Sequence, residues 1–106
     1  MFAKTPEPPY YAVIFTSLRA AEEGYDATSD RMLELVANQP GFLGVESARD
    51  TDGVGITVSY WSDLESIRNW KAQEEHRVAQ SRGRNEWYSR YVTRICKVER
   101  EYGFEK

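Results

Sequence analysis

Residues 42–61 read FLGVESARDTDGVGITVSYW, two runs of largely apolar and β-branched residues on either side of a polar turn. The first run, Phe42–Arg49, and the second, Val54–Trp61, each have the length and composition of a β-strand. Between them, Asp50–Gly53 supplies residues that favour turns. The pattern predicts an antiparallel hairpin.

Four further elements flank the hairpin and are recognised by their periodicity. They are a strand over Tyr10–Leu18, an amphipathic helix over Glu23–Gln39, a second helix from Ser62 to about Tyr88 and a last strand over Tyr91–Arg100. Pro40 and Gly41 end the first helix, and Ser62 with Glu65 forms a capping box at the start of the second. The order βαββαβ predicts an α+β, ferredoxin-like fold, in which a four-stranded antiparallel sheet carries both helices on one face.

Size and composition indicate one domain. The chain has 106 residues, 41% of them hydrophobic, and its 14 basic and 17 acidic side chains leave a net charge of −3. Residues 1–9 are predicted to form a flexible arm and residues 10–106 a single domain. The longest apolar run, Tyr10–Phe15, is far shorter than the ~20 residues that cross a bilayer. With one cysteine and no secretory signal, the protein is expected in the cytoplasm.

The strands carry more apolar residues than one layer of helices can cover. Successive side chains on a strand point to opposite faces of a sheet. In the predicted strands, apolar residues occupy the positions that point to one face and also those that point to the other. Among these residues are Val13, Leu43, Ile56 and Cys96. Because no third layer is predicted, the simplest cover for the second face is another copy of the sheet. This predicts a face-to-face homodimer.

His76 is the only histidine and therefore the only side chain that titrates near neutral pH without a large pKa shift. On a helix it shares one side with Gln80, Gly83 and Trp87, which follow it by 4, 7 and 11 residues. An imidazole beside an amide, a glycine and an indole is typical of a pocket wall. The alternative is that His76 caps or packs at a helix bend and that Gly83 ends a helix.

Three more residues are candidates for ligand contacts. Trp61 ends the third strand and Trp70 follows nine residues later, so the two indoles are placed to sandwich a planar ligand. For Trp70 the alternative is packing in the core. Arg94 shares an alternating strand face with Cys96 and is a candidate for binding an anionic ligand. Its alternative is an ion pair with a buried carboxylate, for instance across the dimer interface.

Other kinds of site are not indicated by the sequence. It holds no Gly-rich phosphate loop and no pair of histidines or cysteines at metal-ligand spacing. The third strand lacks the basic-Gly-aromatic pattern with which ferredoxin-like sheets stack RNA bases. Neither a metal nor a nucleic acid is therefore an expected partner.

Several motifs resemble the antibiotic biosynthesis monooxygenase family of dimeric α+β barrels. They are Gln39–Val45 (QPGFLGV), Tyr60–Ile67 (YWSDLESI) with Trp70–Lys71, then Glu75–His76 and Val98–Arg100. The match covers nearly the whole chain after residue 9. The resemblance implies the same fold and homodimer, and it implies oxygenation of a small aromatic or quinol-type compound.

Two branches of that family imply different site residues. In the branch that oxygenates hydroxylated polyketides without metal or flavin, a Trp at the end of the third strand matches Trp61. Thr57 stands where that branch has Asn, Ile67 where it has Tyr, and Arg82 approximates its Arg. In the haem-degrading branch, Gln80 stands in the place of the iron-ligating His, and Phe15 in that of an Asn. The resemblance thus places haem degradation second.

These patterns lead to one hypothesis and two alternatives. The hypothesis is a homodimeric, cofactor-independent monooxygenase with His76 as the general base. Its three tryptophans hold the aromatic ring, Gly83 leaves room for it, and Gln80 or Arg94 binds the phenolate oxygen, with Thr57 as a further substrate contact. The alternatives are a haem-binding or haem-degrading relative and a dimeric ligand-binding module without turnover.

Overall fold

The computed structural model describes residues 2–19, 32–80 and 88–106, and of residues 75–80 it describes the backbone alone. Its elements follow the chain as β1 (Tyr10–Arg19), α1 (32–36), β2 (Phe42–Arg49), β3 (Val54–Trp61), α2 (Leu64–Gln80) and β4 (Tyr88–Val98). The hairpin strands have the predicted bounds, whereas the part of the first predicted helix before residue 32 lies outside the described residues. Within the described ranges, no helix is both long and apolar enough to span a membrane.

The four strands form one antiparallel sheet in the order β2-β3-β1-β4. The two central strands, β3 and β1, are each bonded on both sides, and the hairpin supplies the β2 edge. This arrangement confirms the predicted α+β, ferredoxin-like fold.

The last strand begins at Tyr88, three residues before the predicted start at Tyr91. The added residues extend its pairing with β1 past a register shift, so that Tyr88 is the partner of Arg19. The Tyr88 ring meets Phe15 of β1 edge-on, with 5.4 Å between centroids. Aromatic residues favour strands because of such cross-strand contacts, which explains why Tyr88 begins a strand instead of ending a helix.

One face of the sheet carries the helices, with the core between them. Trp61 of β3 is fully buried (0% exposed), and Val36 of α1 and Ile67 of α2 pack against it. Tyr11 of β1 is the cross-strand partner of Trp61 and contacts the same cluster. We call this side of the sheet the helix face and the opposite side the outer face.

The start of α2 differs by one residue from the predicted capping box. Asp63, not Ser62, is the N-cap, and its carboxylate accepts a hydrogen bond of 2.7 Å from the backbone N–H of Ser66. This bond is the main cause of the lowered pKa of Asp63. An ionised carboxylate both satisfies a free N–H and complements the positive end of the helix dipole, which a serine hydroxyl does less well.

Part of the predicted arm lies against the outer face. Residues 2–9 contain no helix or strand, but the Ala3 N–H donates to Glu46 of β2 at 2.9 Å. The Thr5 hydroxyl donates to Tyr10 of β1 at 3.1 Å. These contacts give the arm a definite place on the sheet, and its flexibility stays a prediction.

Beyond the arm, the outer face exposes apolar side chains. Ile56 of β3 is 48% exposed, Val54 is 42% exposed, and Leu18 of β1 is 38% exposed. Leu18 and Val54 are cross-strand partners, so these side chains form one patch. Apolar residues thus lie on both faces of the sheet, as the strand pattern predicts. The homodimer that would cover the patch stays a prediction.

Candidate functional site

Two indoles lie together on the helix face, where β3 ends and α2 begins. The rings of Trp61 and Trp70 are inclined by only 29°, with 6.5 Å between their centroids. Phe42 of β2 meets Trp61 edge-on at 5.4 Å. The short turn after Trp61 and the first two turns of α2 bring Trp70 back over the strand end. The structure therefore brings the two predicted ligand-binding tryptophans into contact.

The two indoles differ in how much surface they offer. Trp61 is fully buried, and its Nε1–H donates to Ser59 Oγ at 2.9 Å. Trp70 is half-buried. Trp70 is therefore the indole with surface left for a ligand, while Trp61 packs beneath it.

Three hydroxyl groups extend across the helix face from Trp61 toward the edge of the sheet. Ser59 and Thr57 precede Trp61 at alternate positions of β3 and share its face. Ser47 of β2 is the cross-strand partner of Thr57, and their hydroxyl oxygens lie 2.8 Å apart. We call Ser47, Thr57 and Ser59 the hydroxyl row.

The hydroxyl row adds two residues to the predicted site. Thr57 is a predicted substrate contact, whereas Ser47 and Ser59 were missed. Alternation with Trp61 along β3 is a signal that could have identified Ser59. No comparable signal exists for Ser47, because its place beside Thr57 depends on the register between two strands.

The predicted stripe on the second helix lies mostly outside what the structure describes. His76 and Gln80 are on α2, which is one continuous helix from Leu64 to Gln80, but their side chains are not among the described groups. Gly83 and Trp87 lie outside the described residues altogether, as does Arg82. The roles of these residues stay predictions.

Arg94 lies on the opposite side of the sheet from the indole pair. It is the cross-strand partner of Ile14, which alternates along β1 with Val13, a residue packed against the core on the helix face. Arg94 is exposed and shares the outer face with Cys96, as its alternation predicts. The structure therefore does not bring Arg94 together with the tryptophans. The alternative role of Arg94, an ion pair with a buried carboxylate across a dimer interface, stays a prediction.

The outer face also carries a cluster of tyrosines and glutamates that the sequence pattern did not reveal. The Tyr60 hydroxyl donates to Glu46 at 2.6 Å, the Tyr10 hydroxyl donates to Glu101 at 2.7 Å, and the two rings meet edge-on at 5.8 Å. Burial, followed by the bond to Glu46, raises the pKa of Tyr60 to about 12. The same bond, with that from the Ala3 N–H, lowers the pKa of Glu46. Near neutral pH the phenol is neutral and the carboxylate ionised, which suits a structural contact more than proton transfer.

Two observations on the described residues concern metal and haem sites. In the parts of the chain that the structure describes, no group of three or more His, Cys, Asp or Glu side chains is placed to hold a metal ion. Phe15, which stands in the place of the haem-degrading branch's Asn, packs its ring against Tyr88 and Tyr91 instead.

Comparison with known sequences identifies a family and a relative. Residues 12–82 match the family model of the antibiotic biosynthesis monooxygenases. YqjZ, an uncharacterised protein of Bacillus subtilis, is 51% identical over 105 residues, which are 98% of this chain and 92% of YqjZ.

Solved structures share the fold at low sequence identity. A mutant of SnoaB, a cofactor-independent oxygenase from Streptomyces nogalater, has a TM-score of 0.68 at 17% identity and covers 88% of this chain and 95% of its own. PA3566 of Pseudomonas aeruginosa has a TM-score of 0.59 at 17% identity and covers 92% of this chain and 99% of its own. The family model spans more than half of the sequence, and the topology agrees with it. The chain therefore belongs to the antibiotic biosynthesis monooxygenase family.

Proposed function

We propose that the protein is a monooxygenase that oxidises a small aromatic or quinol-type compound with O₂ and without metal or flavin. The observation that carries the proposal is the half-buried Trp70, which is stacked on Trp61, the residue whose indole donates to Ser59 of the hydroxyl row. An indole surface binds a flat ring, and nearby hydroxyls bind ring oxygens. Membership of the family and the likeness to SnoaB, a cofactor-independent oxygenase, support the same reaction class.

The reaction requires the substrate to act as its own reductant. Ground-state O₂ is a triplet and reacts slowly with neutral closed-shell molecules, so the substrate must first become electron-rich by losing a proton. A methylene carbon that becomes a carbonyl supplies the four electrons needed, with one oxygen atom entering the product and the other leaving as water. A base and an oxyanion-stabilising group are therefore the two functions that the protein must provide.

His76 is the base in this proposal, since its ordinary pKa suits proton abstraction at neutral pH. Gln80, one helical turn further along α2, is a hydrogen-bond donor for the substrate oxygen. Trp70 and Trp87 hold the ring, with Trp61 packed beneath Trp70, and Gly83 leaves space for it.

Oxygen uptake by metal-stripped protein tests the proposal, with anthrones, naphthols and quinols as substrates. We expect uptake with at least one compound, and a fall of about 100-fold in His76→Ala, the size typical of a lost general base. Lys71→Ala, an exposed position on the same helix, is the control and should keep the wild-type rate.

The two parts of the proposal fail separately. Uptake at an unchanged rate in His76→Ala would remove His76 from the mechanism but leave the oxygenase. If no compound supports uptake, the oxygenase is overturned. The second candidate, a ligand-binding module without turnover, would then be favoured, because binding a flat ring on the half-buried Trp70 requires no catalytic base.

We also propose that two copies of the chain pair through their outer faces. The patch of Ile56, Val54 and Leu18 supports this, because apolar side chains on a sheet face gain free energy when a second sheet covers them. The exposed Arg94 on the same face is then placed to pair with a carboxylate of the second copy.

Light scattering after size-exclusion chromatography tests the pairing. The wild-type protein should have twice the chain mass, and Ile56→Lys should be monomeric, because a charge at a buried interface is costly when unpaired. The matched control is Ile95→Lys, since Ile95 is exposed to a similar extent (51% against 48%) but lies on the helix face. A wild-type monomer at all concentrations would contradict the proposal, and so would loss of the dimer in the control alone.

A further inference from the structure

We infer that the hydroxyl row, Ser47, Thr57 and Ser59, is the oxygen-binding element of the site and selects aromatic compounds that carry a hydroxyl, phenolate or carbonyl oxygen. The inference rests on the proposed function, since it names the substrate class of that same site. It assigns a role to two residues, Ser47 and Ser59, that neither the spacing of the motifs nor the family resemblance identifies.

The directions of the hydrogen bonds follow from the chemistry of the groups. An indole N–H only donates, so Ser59 Oγ is the acceptor in its 2.9 Å bond with Trp61 Nε1. This bond does not use the hydrogen of the Ser59 hydroxyl, which can donate to another acceptor. Trp61 is held rigidly in the core, which fixes the position of Ser59 as well.

The same reasoning about donors and acceptors applies to the hydroxyl groups of Ser47 and Thr57. Their oxygens are 2.8 Å apart, so one hydroxyl hydrogen lies between them and the other is left to donate elsewhere. A hydroxyl that already accepts a hydrogen bond is a stronger donor, because the two bonds polarise each other. The row thus presents polarised O–H donors at two points of the helix face, about 7 Å apart along β3.

Such donors suit a substrate oxygen that gains negative charge. When a ring hydroxyl or an adjacent C–H loses its proton, charge develops on the ring oxygen, and fixed donors stabilise that charge more than they stabilise the neutral substrate. Ser47 is exposed at the sheet edge and Thr57 is half-buried, so this end of the row is accessible from outside the core. Trp70 is stacked on Trp61, whose indole donates to Ser59. Trp70 therefore lies on the same face as the hydroxyl row, where it can contact the aromatic ring of the substrate.

Binding of 1-naphthol and naphthalene tests the inference, because the two compounds differ only in the hydroxyl group that 1-naphthol carries. Equilibrium dialysis should show that the wild-type protein binds 1-naphthol about tenfold more tightly, the usual value of one good hydrogen bond. The double variant Ser47→Ala/Thr57→Val removes both hydroxyls from the end of the row that is accessible from outside the core, where the substrate oxygen binds in this inference. In this variant the preference should fall to about twofold or less, with little change in the affinity for naphthalene. Ser59 is left in place because its oxygen satisfies the buried indole N–H.

Thr16→Val is the matched control, because Thr16 is a half-buried threonine on the neighbouring strand β1 but faces outward. It should keep the tenfold preference. Thermal unfolding of each variant shows that any loss of preference occurs in folded protein.

The outcomes separate the inference from the proposed function. A preference for 1-naphthol that survives in the double variant, or that was absent from the wild type, overturns the inference while ring binding stands. A preference that the double variant loses supports the inference even if no compound gives oxygen uptake, in which case only the oxygenase fails. If neither compound binds the wild-type protein, the inference is overturned together with the aromatic substrate.

Discussion

Trp61→Ala is expected to lower the free energy of unfolding by about 3–5 kcal/mol, the range typical for removing a large aromatic side chain from a core. Trp61 is fully buried between the sheet and both helical segments, with Val36 and Ile67 against it. Alanine leaves a cavity that these neighbours fill only in part. The substitution also removes the indole donor from Ser59. Since small domains have a total stability of about 5–15 kcal/mol, the loss is a large fraction of the whole.

Urea unfolding followed by far-UV circular dichroism measures this change, at one protein concentration for all variants. Trp70→Ala is the control, because it removes the same side chain from the partner ring of the stack, which is only half-buried. We expect Trp70→Ala to lower the free energy of unfolding by less than half as much as Trp61→Ala, because the Trp70 side chain buries less apolar surface. Equal losses in the two variants would mean that Trp61 is not the centre of the core.

The parts of the fold that local patterns specify were predictable. The bounds of β2 and β3 follow from two apolar runs and the turn residues between them, all within twenty residues of sequence. The start of β4 was not predictable in this way, because Tyr88 is held by Phe15 and Arg19, far away in the chain. Ser62 and Asp63 are both good N-caps, so local chemistry could place the start of α2 only to within one residue.

The same distinction applies to the candidate site. The contact of Trp61 with Trp70 was predictable, because both lie close to one strand–helix junction. The pairing of Ser47 with Thr57 and the separation of Arg94 from the tryptophans both depend on strand registers. Alternation within β4 places Arg94 on the same face as Cys96. Whether that is also the face of Trp61 depends on how β1 pairs with β3 and with β4. A one-residue change in either register would place Arg94 on the same face as Trp61.

Gly41→Ala is expected to be the second most disruptive change, with a loss of more than about 2 kcal/mol in the free energy of unfolding. Gly41 has φ +83°, a conformation that costs other residues about 1–2 kcal/mol. A methyl group there would also lie 2.6 Å from Ser66 Cβ and 2.9 Å from Ser62 Oγ, too close for any real contact. The turn could not simply move away, because the Gly41 carbonyl accepts a 2.8 Å hydrogen bond from the Ser62 N–H.

Two other glycines separate the backbone cost from the steric one. Gly53 also has a positive φ (+92°), but a methyl group there would meet nothing closer than 3.5 Å, so Gly53→Ala should show the backbone cost alone. Gly103 has nothing within 4 Å of such a methyl group, and Gly103→Ala should leave stability unchanged. Urea unfolding should therefore rank the losses as Gly41, then Gly53, then Gly103. If Gly41→Ala cost no more than Gly53→Ala, the close packing of the 39–42 turn on the start of α2 would be disproved.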